Sequence, residues 1–137
     1  MRSGVVFGSL STSLMTSDQV QAIVDEELSQ WILPTMEPGS TIGTPWDEER
    51  YRVEIGILRA ALVVPKQQSF RLAETYEHAI AIDKPTATYW IVAVVDSTIL
   101  WYDDTTDEFG LGQAEPEPSL PTSIGVRGDL VGSFCAR

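Results

Sequence analysis

Four carboxylates fall within six residues in the last third of this chain. They are Asp103, Asp104, Asp107 and Glu108, in the segment DDTTDE. Carboxylate oxygens at this density can bind a hard cation such as calcium or magnesium. The spacing departs from an EF-hand loop, because the glycine and the glutamate that such a loop requires are replaced here by Glu108 and Ala114. The pattern therefore indicates a solvated acidic turn after a strand, with a cation-binding turn as the alternative.

The segment directly after these acids, residues 109–112, alternates large apolar residues with glycine. Glycines in this arrangement mark a bend or a close approach of the backbone, so we expect Phe109 and Leu111 to point inward. Core packing is one interpretation, and a recognition loop with an acidic rim and an aromatic base is the other. Tyrosines near such a loop are typical of binding interfaces. The candidate partner- or ligand-binding residues are Tyr89, Tyr102, Asp103, Asp104, Asp107, Glu108 and Phe109.

Histidine and cysteine, which often act as a catalytic base and as a thiol nucleophile, are scarce in this chain. The sequence contains a single histidine, His78, and a single cysteine, Cys135. It contains no nucleophile-elbow, phosphate-loop, dinucleotide-binding, zinc-protease or Cys-x-x-Cys pattern. A catalytic triad would need His78 to be brought beside a nucleophile by the fold, and a lone histidine is more often structural. The sequence therefore predicts no catalytic residue, no metal site and no cofactor.

Charge and cysteine content narrow the class of protein. The 137 residues include 20 acidic and 9 basic side chains, which give a formal net charge of −11. A negative surface repels nucleic acid and anionic membranes, so we expect neither as a partner. A basic protein or a cation fits this charge, and solubility alone is the ordinary explanation. A single cysteine cannot form an internal disulfide, and the N-terminal apolar run, residues 5–7, is too short for a signal peptide, so we expect a cytoplasmic protein.

The elements that must position these residues centre on a β-hairpin. Residues 89–95 form an apolar run rich in β-branched side chains, residues 96–97 interrupt it, and residues 99–102 resume it. Two antiparallel strands joined by a two-residue loop have this pattern. Since side chains alternate across a strand, the predicted pairs are Val95 with Thr98, Ala93 with Leu100, and Ile91 with Tyr102. The apolar face so formed, our predicted main core, consists of Trp90, Val92, Val94, Ile99 and Trp101.

Two amphipathic helices are expected to cover that face. Thr16 with Gln19 fits a capping box, and a proline lies directly beyond residue 33, so the first helix should span 17–33. Its predicted buried stripe is Val20, Ile23, Val24, Leu28, Trp31 and Ile32. A second helix is predicted over 45–62. A strand is the alternative for part of it, because its apolar residues also alternate and Gly56 weakens a helix.

The remaining segments are predicted from local composition. A half-buried strand is expected at 67–73, and a short helix at 75–82, where a strand is the alternative. The chain divides into a flexible extension (1–14), a single α+β domain (15–112), and a proline-rich tether followed by a short docking helix with Asp129 as its cap (113–137). We expect that helix to dock in the same chain or in a neighbouring subunit.

Three pieces of the sequence resemble short bacterial proteins of unassigned function. The pieces are LRAALVVP (58–65), YWIVAV with WYDDTTDEFGLG (within 89–112), and GDLVGSF (128–134). Proteins of this kind occur as hypothetical reading frames or on mobile elements. The resemblance implies a small acidic bacterial cytoplasmic protein and assigns no catalytic or binding residue.

The sequence as a whole predicts an α+β fold. A small antiparallel sheet around a central hairpin (about 88–103) is packed by amphipathic helices (about 17–33 and 45–62). The predicted function is that of a non-enzymatic interaction protein, an adaptor, inhibitor or immunity-like partner of a basic protein, and a homodimer is compatible with it. A small-ligand or divalent-cation-binding domain that uses the acidic turn 103–108 is the alternative.

Overall fold

The computed structural model of this chain describes residues 15–32, 48–80, 82 and 85–137. In these residues five strands and four helices form an α+β fold, which confirms the predicted fold class. The helices are α1 (Ser17–Gln30), α2 (Glu48–Ala61), α3 (Tyr76–Ile80) and α4 (Leu130–Cys135), and the strands are β1 (Leu62–Ala73), β2 (Thr86–Val95), β3 (Thr98–Asp103), β4 (Glu108–Gln113) and β5 (Thr122–Gly128). The extension predicted at 1–14 and the helix start predicted at 45–47 lie outside the described residues.

The five strands close into a small barrel in the order β1-β2-β3-β4-β5, with β5 returning to β1. Neighbouring strands are antiparallel except at this closure, where β1 and β5 run parallel from the Arg71 and Thr122 pair to the Ala73 and Ile124 pair. The sequence analysis did not predict β5, and it assigned Thr122 and Ser123 to the tether. Closure gives every strand two neighbours and leaves no open sheet edge in the barrel.

The central hairpin is present and has the predicted two-residue turn. The two predicted pairs nearest the turn are confirmed: Val95 with Thr98, and Ala93 with Leu100. The third is wrong, because a register shift between Ile91 and Ala93 places Ile91 opposite Trp101 instead of Tyr102. The extra residue is Val92, and it packs with Ala93 in the same core cluster. Such a bulge bends and twists the strand, which helps a short sheet to close.

The barrel has two buried faces, of which the sequence analysis predicted one as the main core. Its interior contains Phe70, Tyr89, Ile91, Ile99 and Trp101. Its outer face packs under the helices in a second cluster, which includes Val20, Val24, Leu28, Leu58, Trp90, Val92, Leu100, Tyr102, Phe109, Leu111, Leu130, Val131 and Phe134. The predicted apolar face is therefore divided. Trp90 and Val92 lie under the helices as expected. Ile99 and Trp101 lie inside the barrel, and Val94 is exposed, because of the bulge and the closure.

Helix α1 begins with the predicted capping box. The Thr16 hydroxyl accepts a hydrogen bond from the Gln19 N–H at 3.2 Å, and the Gln19 side chain accepts one from the Thr16 N–H at 2.8 Å. The helix ends at Gln30, before the predicted position 33, because Trp31 is extended with a ψ of 135°. Ile32, which we predicted to be buried, is 82% exposed as a result.

Helix α2 confirms the helical interpretation of its segment over the strand alternative. Leu58 is fully buried, and Ile55 packs against the same outer cluster. The Tyr51 ring lies 5.4 Å from the ring of Trp31, which joins the ends of α1 and α2. Leu62, predicted as the last helical residue, instead begins β1.

The two short helices lie where the sequence predicts them. At the start of α3, the Thr75 hydroxyl accepts a hydrogen bond from the His78 N–H at 3.2 Å, which favours helix over the strand alternative. Helix α4 has Asp129 as its N-cap and docks on this chain, since the Leu130 N–H donates to Glu27 of α1 at 3.1 Å. None of the helices in the described part of the chain is long and apolar enough to cross a membrane.

Candidate functional site

The structure divides the acidic turn between the two sides of the barrel wall. Asp103 and Glu108 pair across β3 and β4, and both bond to the guanidinium of Arg127. Asp104 and Asp107 instead accept hydrogen bonds from aromatic side chains of the helix-covered face. The four carboxylates thus form two separate pairs. Among the described residues, no group of three or more His, Cys, Asp or Glu side chains is placed to hold a metal ion.

Arg127, on β5, closes one end of the barrel with an ion-pair cluster. Its guanidinium lies 3.0 Å from Glu74 Oε1, 3.2 Å from Asp103 Oδ2 and 3.1 Å from Glu108 Oε1. The Glu74 and Asp103 side chains are 9% and 8% exposed, and the Arg127 side chain is 27% exposed. Ser123, fully buried, also donates a hydrogen bond to Glu74. Buried carboxylates of this kind depend on their cation, because an unpaired charge in such a place is costly.

Two stacked aromatic rings lie next to the ion-pair cluster inside the barrel. The ring centroids of Tyr89 and Trp101 are 4.1 Å apart, and the Arg127 guanidinium lies 4.8 Å from the Trp101 ring, within cation–π range. The Tyr89 hydroxyl donates to Glu74 at 3.1 Å and accepts from Arg127 Nη2 at 2.8 Å. Burial, and then the Glu74 carboxylate, raise the pKa of Tyr89, so its hydroxyl keeps its proton. The cluster is therefore a structural closure of the barrel and presents no reactive group.

The contribution of the ion-pair cluster to stability depends on pH through Asp103. Burial opposes its ionisation, but the hydrogen bonds from Thr105 and then from Arg127 outweigh burial and lower the pKa of Asp103. Because the folded-state pKa lies below the unfolded-state value, the unfolded chain binds more protons at acid pH, and stability rises with pH there. The contribution of Asp103 is complete above the ordinary aspartate pKa of about 3.9 and is lost as the pH falls from there through the lowered folded-state pKa.

We expect Asp103→Asn to flatten the acid side of the pH profile of stability. The variant has no carboxylate to protonate at this position, so its urea midpoint should fall less between neutral pH and pH values below about 4 than that of the wild type. The matched control is Asp96→Asn, since Asp96 lies in an exposed turn outside the ion-pair cluster. Equal acid sensitivity in wild type and Asp103→Asn would contradict this assignment.

The aromatic residues predicted to bind a partner lie in the core. Tyr102 and Phe109 are 1% and 2% exposed and pack on each other under the helices, with ring centroids 4.8 Å apart. Tyr89 lies inside the barrel. The Tyr102 hydroxyl donates to Asp107 at 2.7 Å, and burial, followed by this hydrogen bond, raises the pKa of Tyr102. Of these three rings, Tyr102 borders a surface groove between α1 and the turn after β3.

That groove, about 810 Å³ in volume, lies between α1, the turn after β3 and the start of α4. We call it the acidic groove. Its carboxylates are Glu26, Glu27, Asp104, Asp107 and Asp129. Its apolar wall consists of Met15, Ile23, Trp31 and Ile32, and Gln30 and Tyr102 complete the lining. Among the residues that the structure describes, no lysine or arginine lines it. Three of the predicted site residues, Tyr102, Asp104 and Asp107, therefore line the same groove as acids of α1 to which the sequence analysis assigned no role.

The acidic groove is strongly negative because the ion pairs of the described residues involve carboxylates outside it. The ion pairs of the described residues use Glu48, Glu49, Glu54, Glu74, Asp103 and Glu108, and none of these lines the groove. Glu26, Glu27, Asp107 and Asp129 instead accept hydrogen bonds from uncharged groups. Within the described residues, these four carboxylates have no arginine or lysine to neutralise them.

The single histidine and the single cysteine are placed as ordinary structural residues. His78 Nδ1 accepts a hydrogen bond from the Glu74 N–H at 3.2 Å. Cys135 is partly buried in α4, and burial, followed by the nearby Glu54, raises the pKa of its thiol. A raised pKa disfavours the reactive thiolate. Neither position supports a catalytic site.

Sequence reasoning missed Arg127 and Glu74, the centre of the ion-pair cluster, and it missed the α1 side of the groove. A weak signal for β5 is present in the sequence, since Ile124 and Val126 alternate with smaller or polar residues as in a strand. Glu26 lies outside the predicted buried stripe of α1, and a helical wheel does not show which part of the fold faces it. The turn that faces it is distant in sequence.

Comparison with known proteins found no relative for this chain. No protein-family model, no curated protein and no solved structure matches it.

Proposed function

We propose that this protein is a non-enzymatic interaction protein, of the adaptor, inhibitor or immunity-like type, that binds a basic protein through the acidic groove. One observation carries the proposal. Four carboxylates without an arginine or lysine partner among the described residues line the same groove as apolar side chains of α1. Within the apolar part, Ile32 is 82% exposed, while Met15, Ile23 and Trp31 are partly buried against the core.

Charge and apolar surface have different roles in such a groove. Negative charge raises the rate of encounter with a basic protein and disfavours acidic ones, and the overall net charge of −11 acts in the same direction. Apolar contacts in a concave site then supply most of the affinity. A solvated acidic surface that served solubility alone would not need exposed apolar side chains beside its carboxylates.

The alternative function, a small-ligand or cation site in the acidic turn, has less support. Asp103 and Glu108 already bond to Arg127, which occupies the position that a cation would take. Sites for small molecules are mostly enclosed and apolar, with a few polar groups, whereas the acidic groove is open and has five carboxylates. We expect millimolar calcium or magnesium to leave the melting temperature unchanged, because a ligand stabilises a fold only if it binds it.

The decisive variant removes groove charge and keeps the local structure. We choose Glu26→Gln combined with Asp107→Asn. Glutamine can still bond to Gln30, which donates to Glu26 at 3.1 Å, and asparagine can still accept from Tyr102. Asparagine also tolerates the positive φ of 58° at position 107. The matched control is Glu77→Gln with Asp96→Asn, which removes the same charge elsewhere and includes the other positive φ, 54°.

The measurement is affinity capture from a lysate of the producing organism at low and at high salt, with wild type, groove variant and control side by side. We expect the wild type and the control to capture a basic protein at low salt. High salt should release this protein, and the groove variant should not capture it. Direct binding of the captured protein to the purified wild type would complete the test. If every captured protein is retained equally by the groove variant, the proposal is wrong.

A further inference from the structure

Resting on the proposed function, we infer that the part of the partner seated in the acidic groove is an amphipathic basic helix, with an apolar stripe bordered by arginine or lysine. The apolar stripe contacts Ile23, Trp31 and Ile32, and the cationic side chains reach carboxylates on both walls of the groove.

The walls of the groove favour a helix over an added strand. A peptide that binds as an extra strand needs an open sheet edge. Here β3 and β4 each have two neighbours in the closed barrel, so the sheet presents no edge to the groove. The long wall is one side of α1, and from Ile23 to Trp31 it extends about 12 Å, or two helical turns. A second helix packs readily along such a ridge.

Charge complementarity indicates that the side chains of the bound helix are positively charged. Acids line both walls, since Glu26 and Glu27 come from α1 while Asp104 and Asp107 come from the opposite turn. A helix lying between them would place side chains from both edges of its apolar stripe beside carboxylates. Basic residues at those edges form charge-assisted contacts there, whereas acidic ones would be repelled.

The end of α1 offers an independent reason for a cation. Its last turn contains no basic residue, and Glu26 and Glu27 lie close to its C-terminus. A helix C-terminus has a partial negative charge, so acids near it are unfavourable and cations are favourable. A cationic side chain from a partner would bond to these carboxylates and also interact favourably with the helix end. A lysine or arginine in the last turn is a common way to satisfy a helix C-terminus, and α1 has neither there.

Three synthetic peptides of about 14 residues, long enough to fold on binding, test the inference. The first has a leucine stripe bordered by arginines at helical spacing. The second has the same residues in an order without an apolar stripe, and the third has glutamate in place of arginine. Fluorescence anisotropy of the labelled peptides gives the dissociation constants. We expect the first peptide to bind roughly tenfold more tightly than the second, and the third not to bind.

Variants of the full chain locate the binding. Glu26→Gln with Asp107→Asn should weaken the first peptide roughly tenfold, since charged contacts are lost, and Glu77→Gln with Asp96→Asn should leave it unchanged. Ile32→Ser should weaken it severalfold, and because Ile32 is 82% exposed the fold should tolerate the change. Melting curves of each variant confirm that it is folded.

Three outcomes would overturn the inference. Equal binding of the first two peptides would mean that charge alone is recognised. No binding of the first peptide would mean that no such helix fits. Spermidine that displaces the peptide, and that loses its own binding in the groove variant but not in the control, would assign the groove to a small polyamine. The capture experiment is separate: a groove-dependent basic protein that binds without an amphipathic helix would leave the proposed function standing while this inference fails.

Discussion

Replacing Arg127 with methionine should lower the free energy of unfolding by about 3–5 kcal/mol, because removing one partner of a buried ion pair leaves the other charged. Three carboxylates would lose their cation in this case: Glu74 and Asp103, whose side chains are 9% and 8% exposed, and the more exposed Glu108. Methionine keeps the length and much of the packing of the side chain, so the loss reports mainly on charge and hydrogen bonds. Urea denaturation followed by far-UV circular dichroism gives the value.

The control for this change is Arg52→Met. Arg52 also bonds to two carboxylates, at 2.6 Å from Glu48 and 2.8 Å from Glu49, but its side chain is 62% exposed. Exposed pairs on a helix contribute little, so we expect a loss below about 1 kcal/mol. Adding Glu74→Gln to Arg127→Met should recover part of the stability, because one stranded charge is removed. If both arginine variants lose the same stability, the ion-pair cluster does not close the barrel as described.

Gly110→Ala should lower the free energy of unfolding by about 3 kcal/mol, at the upper end of what overpacking costs. A Cβ atom at this position would overlap the Trp101 ring and the carbonyl oxygen of Val126. The ring is fully buried, and the carbonyl belongs to the backbone of β5, so neither can move aside cheaply. Gly110 is therefore the position at which the barrel wall needs a residue without a side chain. Urea denaturation measures the loss, and near-UV circular dichroism reports the displaced tryptophan.

Two other glycines complete a graded series with the same substitution. A Cβ atom at Gly112 would lie 2.9 Å from the Phe70 ring, so Gly112→Ala should cost about 1–2 kcal/mol. A Cβ atom at Gly56 would have no neighbour within 4 Å, and Gly56→Ala within α2 should raise stability by about 0.5–1 kcal/mol through helix propensity. If the stability losses do not decrease in the order Gly110→Ala, Gly112→Ala, Gly56→Ala, the barrel interior is not packed as described.

Features governed by neighbours in sequence could be predicted without the structure. The capping box of Thr16 and Gln19, the cap at Asp129 and the tight turn between β2 and β3 depend on interactions over a few residues. The register next to that turn follows from the turn itself, which is why the first two pairs of the hairpin are correct. The prediction fails at Val92, where one extra residue exchanges the faces of the strand beyond it.

The site could be predicted only in part, because it also depends on which face of a strand each residue occupies. The acidic turn is visible as a run of carboxylates, but which side of the barrel each one faces depends on the alternation of β3 and on the partners that reach it. Asp103 faces Arg127, and Asp107 faces the groove with α1. A helical wheel places Glu26 at the edge of α1 without indicating what lies opposite.

The amino-acid sequence by itself determined the local elements of this protein and its strong negative charge, since propensity, capping and turn geometry act over a few residues. Tertiary structure alone decided the closure of the barrel, the second buried face and the partner of each carboxylate. Arg127 bonds to Glu74 53 residues away, and the parallel pairing of β1 with β5 joins equally distant segments. Such contacts form only when the whole chain has collapsed, because the free energy they contribute must exceed the entropy cost of closing a long loop. A local sequence pattern gives no information on the difference between these two quantities.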